Sequence, residues 1–247
     1  MRIQVINPLG VDVYNPMVER AVERSLAPDT KVEVRSLEGT GVPPTAFLPT
    51  HSRFMNQLLT QVETAERDGF DAVVIACAAD PGLEDAKDLV GIPVTGPMEA
   101  AVATGRAFGR MAVVCPRIES GEDENLPQDA NWIRRLVHRY GAESIFAGVF
   151  AAPSGHPPAE EVDRLLAEDP DGLRAAVRAE MDTSVRTTAL QAAQRAFHER
   201  DANVIFFACT LWSGLLEPIR TQVPVQVLDP LITPVLYAEM LARTTTG

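Results

Sequence analysis

Short apolar runs alternate along this chain with longer stretches in which apolar positions recur every three to four residues. The short runs are Arg2–Ile6, Lys31–Ser36, Ala72–Ala76, Ile92–Thr95, Met111–Cys115, Glu143–Val149, Asn203–Ala208 and Val223–Leu228. Several are apolar from end to end, which predicts strands covered by helices on both faces. The longer stretches Met17–Leu26, Phe54–Arg67, Pro97–Phe108, Ala130–Tyr140, Leu173–Arg200 and Pro230–Ala242 predict helices. Leu173, Val177, Met181 and Val185 stand four apart and give the longest of them one buried stripe. Strand and helix in alternation predict an α/β fold with mainly parallel sheets.

The pattern occurs twice. In the first half a strand runs into Asn7-Pro8, and a later strand, Ala72–Ala76, runs into Cys77. In the second half a strand runs into Cys115-Pro116, and a later one, Asn203–Ala208, runs into Cys209. After each of Cys77 and Cys209 come a short helix, an apolar strand (Ile92-Pro93-Val94 or Val223-Pro224-Val225) and a helix entered through Pro97 or Pro230. The spacings from Cys77 to Pro93 and from Cys209 to Pro224 differ by one residue. Two copies at this period predict two pseudo-symmetric lobes with a cleft between them, not a solenoid. Two segments in the second half break the period. Arg117–Ala130 is acidic, Ala151–Pro158 is rich in proline, and both read as surface loops, either as lids or as solvated insertions.

In open α/β sheets ligands bind beyond the carboxyl ends of the strands. Cys77 and Cys209 stand there. Asp80-Pro81 resembles an N-cap followed by a first-turn proline, and Thr210 and Ser213 are the matching cap candidates. Amide groups and the positive end of a helix dipole would lower the pKa of a nearby thiol. Two facing thiols can do what one cannot: one removes a proton from a carbon acid while the other delivers a proton to the opposite face. Taken singly, each cysteine reads equally well as a small core residue. Their matched positions favour chemistry.

Composition narrows the partners. The 247 residues carry a net charge of −12, with no basic patch interleaved with aromatics. That speaks against nucleic acid or an anionic membrane surface as partner, and leaves a small-molecule substrate and other copies of the chain. The N-terminus enters a strand without the three-part pattern of a signal peptide, and no apolar run is long enough to span a bilayer. Three cysteines in such a chain read as free thiols, so the cytoplasm is the expected compartment. No His/Cys/Asp spacing resembles a zinc site, and Gly39-Thr40-Gly41 lacks the lysine and helix of a phosphate loop.

Four stretches together resemble the aspartate/glutamate/hydantoin racemase superfamily, over almost the whole chain. Ile6-Asn7-Pro8 is similar to the opening of its hydantoin and allantoin racemase branch. Ala76-Cys77-Ala78-Ala79-Asp80-Pro81-Gly82-Leu83 resembles that branch's first-cysteine motif, Ala208-Cys209-Thr210 its second, and Val223-Pro224-Val225 its C-terminal segment. The resemblance implies two α/β lobes, residues 1–105 with 229–247 and residues 106–228, since the family's last helix packs back on the first lobe. It implies a racemase or epimerase that uses no metal, pyridoxal phosphate or nucleotide, with Cys77 and Cys209 as acid and base. Asn7, Pro8, Ala78, Ala79, Asp80, Thr210 and Leu211 would surround the substrate.

Departures from the family pattern bear on the substrate. Leu9-Gly10 replaces a polar pair, Ala78-Ala79 replaces the Asn-Thr pair of amino-acid racemases, and Leu211-Trp212 follows Thr210 without the histidine of glutamate racemases. A less polar or cyclic substrate such as a 5-substituted hydantoin therefore fits better than glutamate. Cys115 matches Asn7 in the repeat and either lines the site or is an inert core thiol. Trp212 walls the pocket or packs a helix. His51, in a loop before a helix, is a further ligand candidate, whereas His138 and His198 lie on charged helices and read as surface. Three other readings remain open: cis–trans isomerisation of an unsaturated diacid, decarboxylation with one protonating thiol, or a binding protein that kept the cleft.

Overall fold

A computed structural model describes residues 1–37, 54–118, 128–155 and 157–245. The predicted candidate His51, the Gly39-Thr40-Gly41 stretch and most of the acidic 117–130 segment lie outside the described residues.

All eight predicted strands are present. The first sheet holds β1 (Arg2–Asn7), β2 (Lys31–Ser36), β3 (Ala72–Ile75) and β4 (Val94–Thr95) in the order β2-β1-β3-β4. The second holds β5 (Met111–Ile118), β6 (Phe146–Ser154), β7 (Val204–Phe207) and β8 (Gln226–Leu228) in the order β6-β5-β7-β8. Every pairing is parallel. β3 and β7 are buried at every position, as central strands under two helical layers must be. The duplication extends to single hydrogen bonds. Ala76 N–H donates to Ile6 O and Ala208 N–H to Val114 O, both at 2.8 Å.

The helices are α1 (Asn15–Val22), α2 (Met55–Arg67), α3 (Leu83–Leu89), α4 (Pro97–Gly105), α5 (Gln128–Arg139), α6 (Ala159–Glu168), α7 (Pro170–Ser184), α8 (Leu190–Arg200), α9 (Glu217–Gln222) and α10 (Ile232–Thr245). Leu231, Val235, Ala238 and Ala242 at and along α10 pack with Ile3, Val5 and Val74 of the first sheet. Thr30, Asp29 and the α10 residues Glu239 and Arg243 form a polar brace beside that contact.

Three local expectations need correction. The predicted helix Leu173–Arg200 is interrupted at Val185–Ala189, where the backbone widens to a π turn. There Ser184 and Thr188 turn their hydroxyls onto Pro153 O, at 3.4 and 2.6 Å. The stripe Leu173, Val177, Met181 and Val185 is nonetheless buried throughout. Ala151–Pro158 is not a loop over its whole length, because β6 continues to Ser154. Its proline is tolerated there since β6 is the edge strand. The same sheet extends β5 past Cys115, which pairs with Ala151 inside the strand and does not end it.

Candidate active site

Cys77 and Cys209 each stand two residues past the last residue of a central strand, at the carboxyl end of their sheets. Both ends meet where the lobes join. Ala78, beside Cys77, shares a buried cluster with Met98, Met111, Cys115 and Ala208. Cys209 packs on a second cluster that joins Val13, Tyr14 and Met17 of the first lobe to Phe207, Trp212 and Leu215 of the second. Arg174 of α7 crosses the junction to donate to Val13 O at 3.2 Å.

The thiols are close enough for Cys209 to act electrostatically on Cys77. Cys77 is buried and Cys209 keeps partial exposure. Burial pushes Cys77 up to about 12, opposed by a hydrogen bond from the Ala79 amide and reinforced by the charges of Asp80 and Cys209. Burial likewise pushes Cys209 up to about 11, against the Leu211 and Trp212 amides that bond to it. This reverses the expectation of depressed thiols: the amides are present, but desolvation outweighs them. A raised thiol is a weak acid, and its thiolate a correspondingly strong base.

The expected caps are also corrected. Asp80 does not start α3, whose N-cap is Gly82 in the left-handed region. Asp80 itself has φ +45° and turns back across the site. Its Oδ1 accepts from Met98 N–H at 3.1 Å, and its Oδ2 from Glu99 N–H at 2.7 Å and from the Tyr140 hydroxyl at 2.8 Å. It therefore caps α4 and ties the Cys77 loop to Tyr140 of the second lobe. Burial raises Asp80 to about 7 despite these three donors; burial, then the Asp80 charge, raises Tyr140. Gly96 is required by the close approach, because a Cβ there would lie 2.3 Å from Asp80 Oδ1.

After Cys209 the chain makes a single 3-10 turn, Thr210–Trp212, and α9 begins only at Glu217. Ser213 is the N-cap of neither. Its hydroxyl donates to Asp229 Oδ1 at 2.5 Å, and Asp229 also accepts from Gly214, Leu231 and Ile232 N–H at 2.9–3.0 Å. Neither Tyr140 nor Asp229 stands in a motif of the sequence. The sequence held one signal for Asp229: aligning the halves sets Gly96-Pro97 against Asp229-Pro230.

The remaining candidates fall at or beside this junction. Asn7 is buried and commits its side chain to the β1–α1 loop. Its amide donates to Asn15 Oδ1 at 3.1 Å and Ser36 Oγ at 3.2 Å, and its oxygen accepts from Leu9 N–H at 3.1 Å. Pro8 is buried beside it, while Ala79, Thr210 and Leu211 keep partial exposure next to the thiols. Cys115 is buried, its sulfur 3.6 Å from Pro116 O. Trp212 is wholly buried, edge-on to Phe207, with Nε1 unpaired. His138 lies on the surface beside Glu143, and His198 is exposed against Phe197. Among the described residues, no group of three His, Cys, Asp or Glu is placed to hold a metal, and no helix is long and apolar enough to cross a membrane.

A family model for Asp/Glu/hydantoin racemases matches residues 3–235. The chain belongs to that family. Among its relatives, the hydantoin racemase of Paenarthrobacter aurescens is 27% identical, over 98% of this chain and 91% of its own length. The solved allantoin racemase of Klebsiella pneumoniae is similar with a TM-score of 0.74 at 26% identity, covering 99% of this chain and 88% of its own. Arylmalonate decarboxylase has a TM-score of 0.59 at 15% identity, covering 100% of this chain and 95% of its own. At that identity the likeness speaks for the fold alone. The family membership and these racemase relatives make this chain an isomerase of the racemase type.

Proposed function

We propose that this family member racemises or epimerises a carbon acid next to a carbonyl, with Cys77 and Cys209 as the two acid/base groups. One observation carries the reading: sulfur sits at the same register position in both lobes, at the junction, with Cys77 within electrostatic reach of Cys209. A thiolate on one side takes the proton from the stereocentre, leaving an enolate-like anion whose charge the surrounding amides can share. The thiol on the other side protonates the opposite face. The product has inverted configuration and the two sulfurs have exchanged protonation states.

The substrate class we favour is a 5-substituted hydantoin or a related ring such as allantoin. Two relatives bear those names. The residues flanking the sulfurs, Ala78, Ala79 and Leu211, offer no side-chain charge for a free amino acid's ammonium and carboxylate. Asp80 has already spent its oxygens on three protein donors. The test is a panel of single-enantiomer hydantoins, allantoin and free amino acids in deuterated buffer, followed by optical rotation and mass. Loss of rotation with uptake of one deuterium at the stereocentre is the expected result for the ring substrates. Unchanged rotation of every ring substrate, with loss of carbon dioxide and uptake of one deuterium from an added substituted malonic acid, would replace this reading with decarboxylation.

A further inference from the structure

Each lobe fastens its cysteine loop to the next helix with a buried carboxylate, but the carboxylate has changed sides. In the second half of the repeat Asp229 belongs to the start of α10, and the cysteine loop supplies donors from Ser213 and Gly214. In the first lobe Asp80 belongs to the cysteine loop, and α4 supplies the donors from Met98 and Glu99. Asp80 stands only three positions beyond Cys77, and the turn is closed by Asp80 N–H donating to Cys77 O at 2.9 Å. Asp229 lies 20 positions beyond Cys209 and does not figure among the groups acting on that sulfur. Two thiols that the duplication makes equivalent are thus unequal in their nearest fixed charge.

We propose that Asp80 is a positioning residue that acts through Cys77, making Cys77 the thiol that holds the proton and leaving Cys209 as the base of the resting enzyme. This rests on the two-thiol reading above. A negative charge beside a thiol opposes its ionisation, and in a desolvated junction the effect is not screened away. Burial raises both thiols, and at Cys77 the Asp80 charge adds to it, whereas no carboxylate among the described residues acts on Cys209. The groups facing Asp80 are Cys77 in its own loop, Tyr140 beyond α5, and Glu99 of α4, whose other partner is Lys87 of α3. Cys77 faces Asp80 and Cys209. Because Asp80 titrates near 7, its bias acts above neutrality and fades below it.

The experiment is brief alkylation of the full-length protein with iodoacetamide between pH 5.5 and 9, resolved by peptide mass spectrometry. Wild-type protein is expected to show a Cys209-to-Cys77 labelling ratio that grows severalfold as pH rises through about 7. In Asp80→Asn the ratio should lose that pH dependence, with Cys77 labelling severalfold faster above pH 8. Tyr140→Phe keeps the charge but removes a donor that favours it, so the inflection should move to higher pH. This variant decides the matter if Asp80→Asn does not fold. A folded Asp80→Asn with the wild-type ratio, a wild-type ratio that is flat in pH, or an unmoved inflection in Tyr140→Phe would each overturn the proposal. Labelling needs no substrate, so failure of the racemase reading would appear separately, as cysteine substitutions without effect on turnover.

Discussion

The loop after β3 and the loop after β7 begin from the same strand register and carry the same sulfur, yet they are secured by opposite arrangements. The second is a short 3-10 turn that reaches out to Asp229, a carboxylate within its own half of the repeat and saturated by four donors. The first folds back through a left-handed Asp80 and borrows its third donor, Tyr140, from the other lobe. The difference teaches that the duplication conserves where sulfur is delivered, not how its loop is held. It also means that both clamps join the lobes, one through Tyr140 and the other through α10, which packs on the first sheet.

Four tests, three substitutions and one pH profile, bear on that contrast, in descending order of effect. Asp229→Ala strands four donors at once, and buried unpaired groups cost about 1–3 kcal/mol each before relaxation and water entry. A net loss of about 3 kcal/mol in urea unfolding is expected. Gly96→Ala drives a methyl into Asp80 and should break the other clamp, at about 2 kcal/mol. A Gly96→Ala protein as stable as wild type would show that the first clamp is dispensable. Next, both thiols are raised, so the fraction of either present as thiolate grows with pH until the base ionises near 11. Substrate kcat/KM should therefore rise by up to about tenfold per pH unit between 7 and 9. A profile flat across that range would mean that a group other than these thiols supplies the base. Tyr140→Phe removes one hydrogen bond to a carboxylate and should cost about 1.5 kcal/mol. If it costs nothing, the fastening between lobes is carried elsewhere.

Much of this architecture was legible in the chain because it is written in local patterns. All eight strands, the repeat and the two strand-end cysteines follow from apolar runs and their punctuation. What the sequence hid depends on partners far along the chain. Asp80-Pro81 has the form of a local helix cap, but the donors that claim Asp80 lie 18, 19 and 60 residues on. The π turn at Val185 answers to Pro153 across the lobe, which no helical period can reveal. The thiols misled for a related reason. Amides after a strand end can be anticipated from the sequence, whereas the depth at which a sulfur is buried is fixed only once both lobes have closed around it.

If each sulfur serves one face of the substrate, isotope exchange in the single variants will reveal it. Cys77→Ser and Cys209→Ser should each lose racemisation by about 10²–10⁴-fold. In deuterated buffer each should still exchange the stereocentre proton of one enantiomer of a 5-substituted hydantoin, and the two variants should prefer opposite enantiomers. If one substitution is silent, or if both variants exchange the same enantiomer, the two sulfurs do not face each other across the reacting carbon.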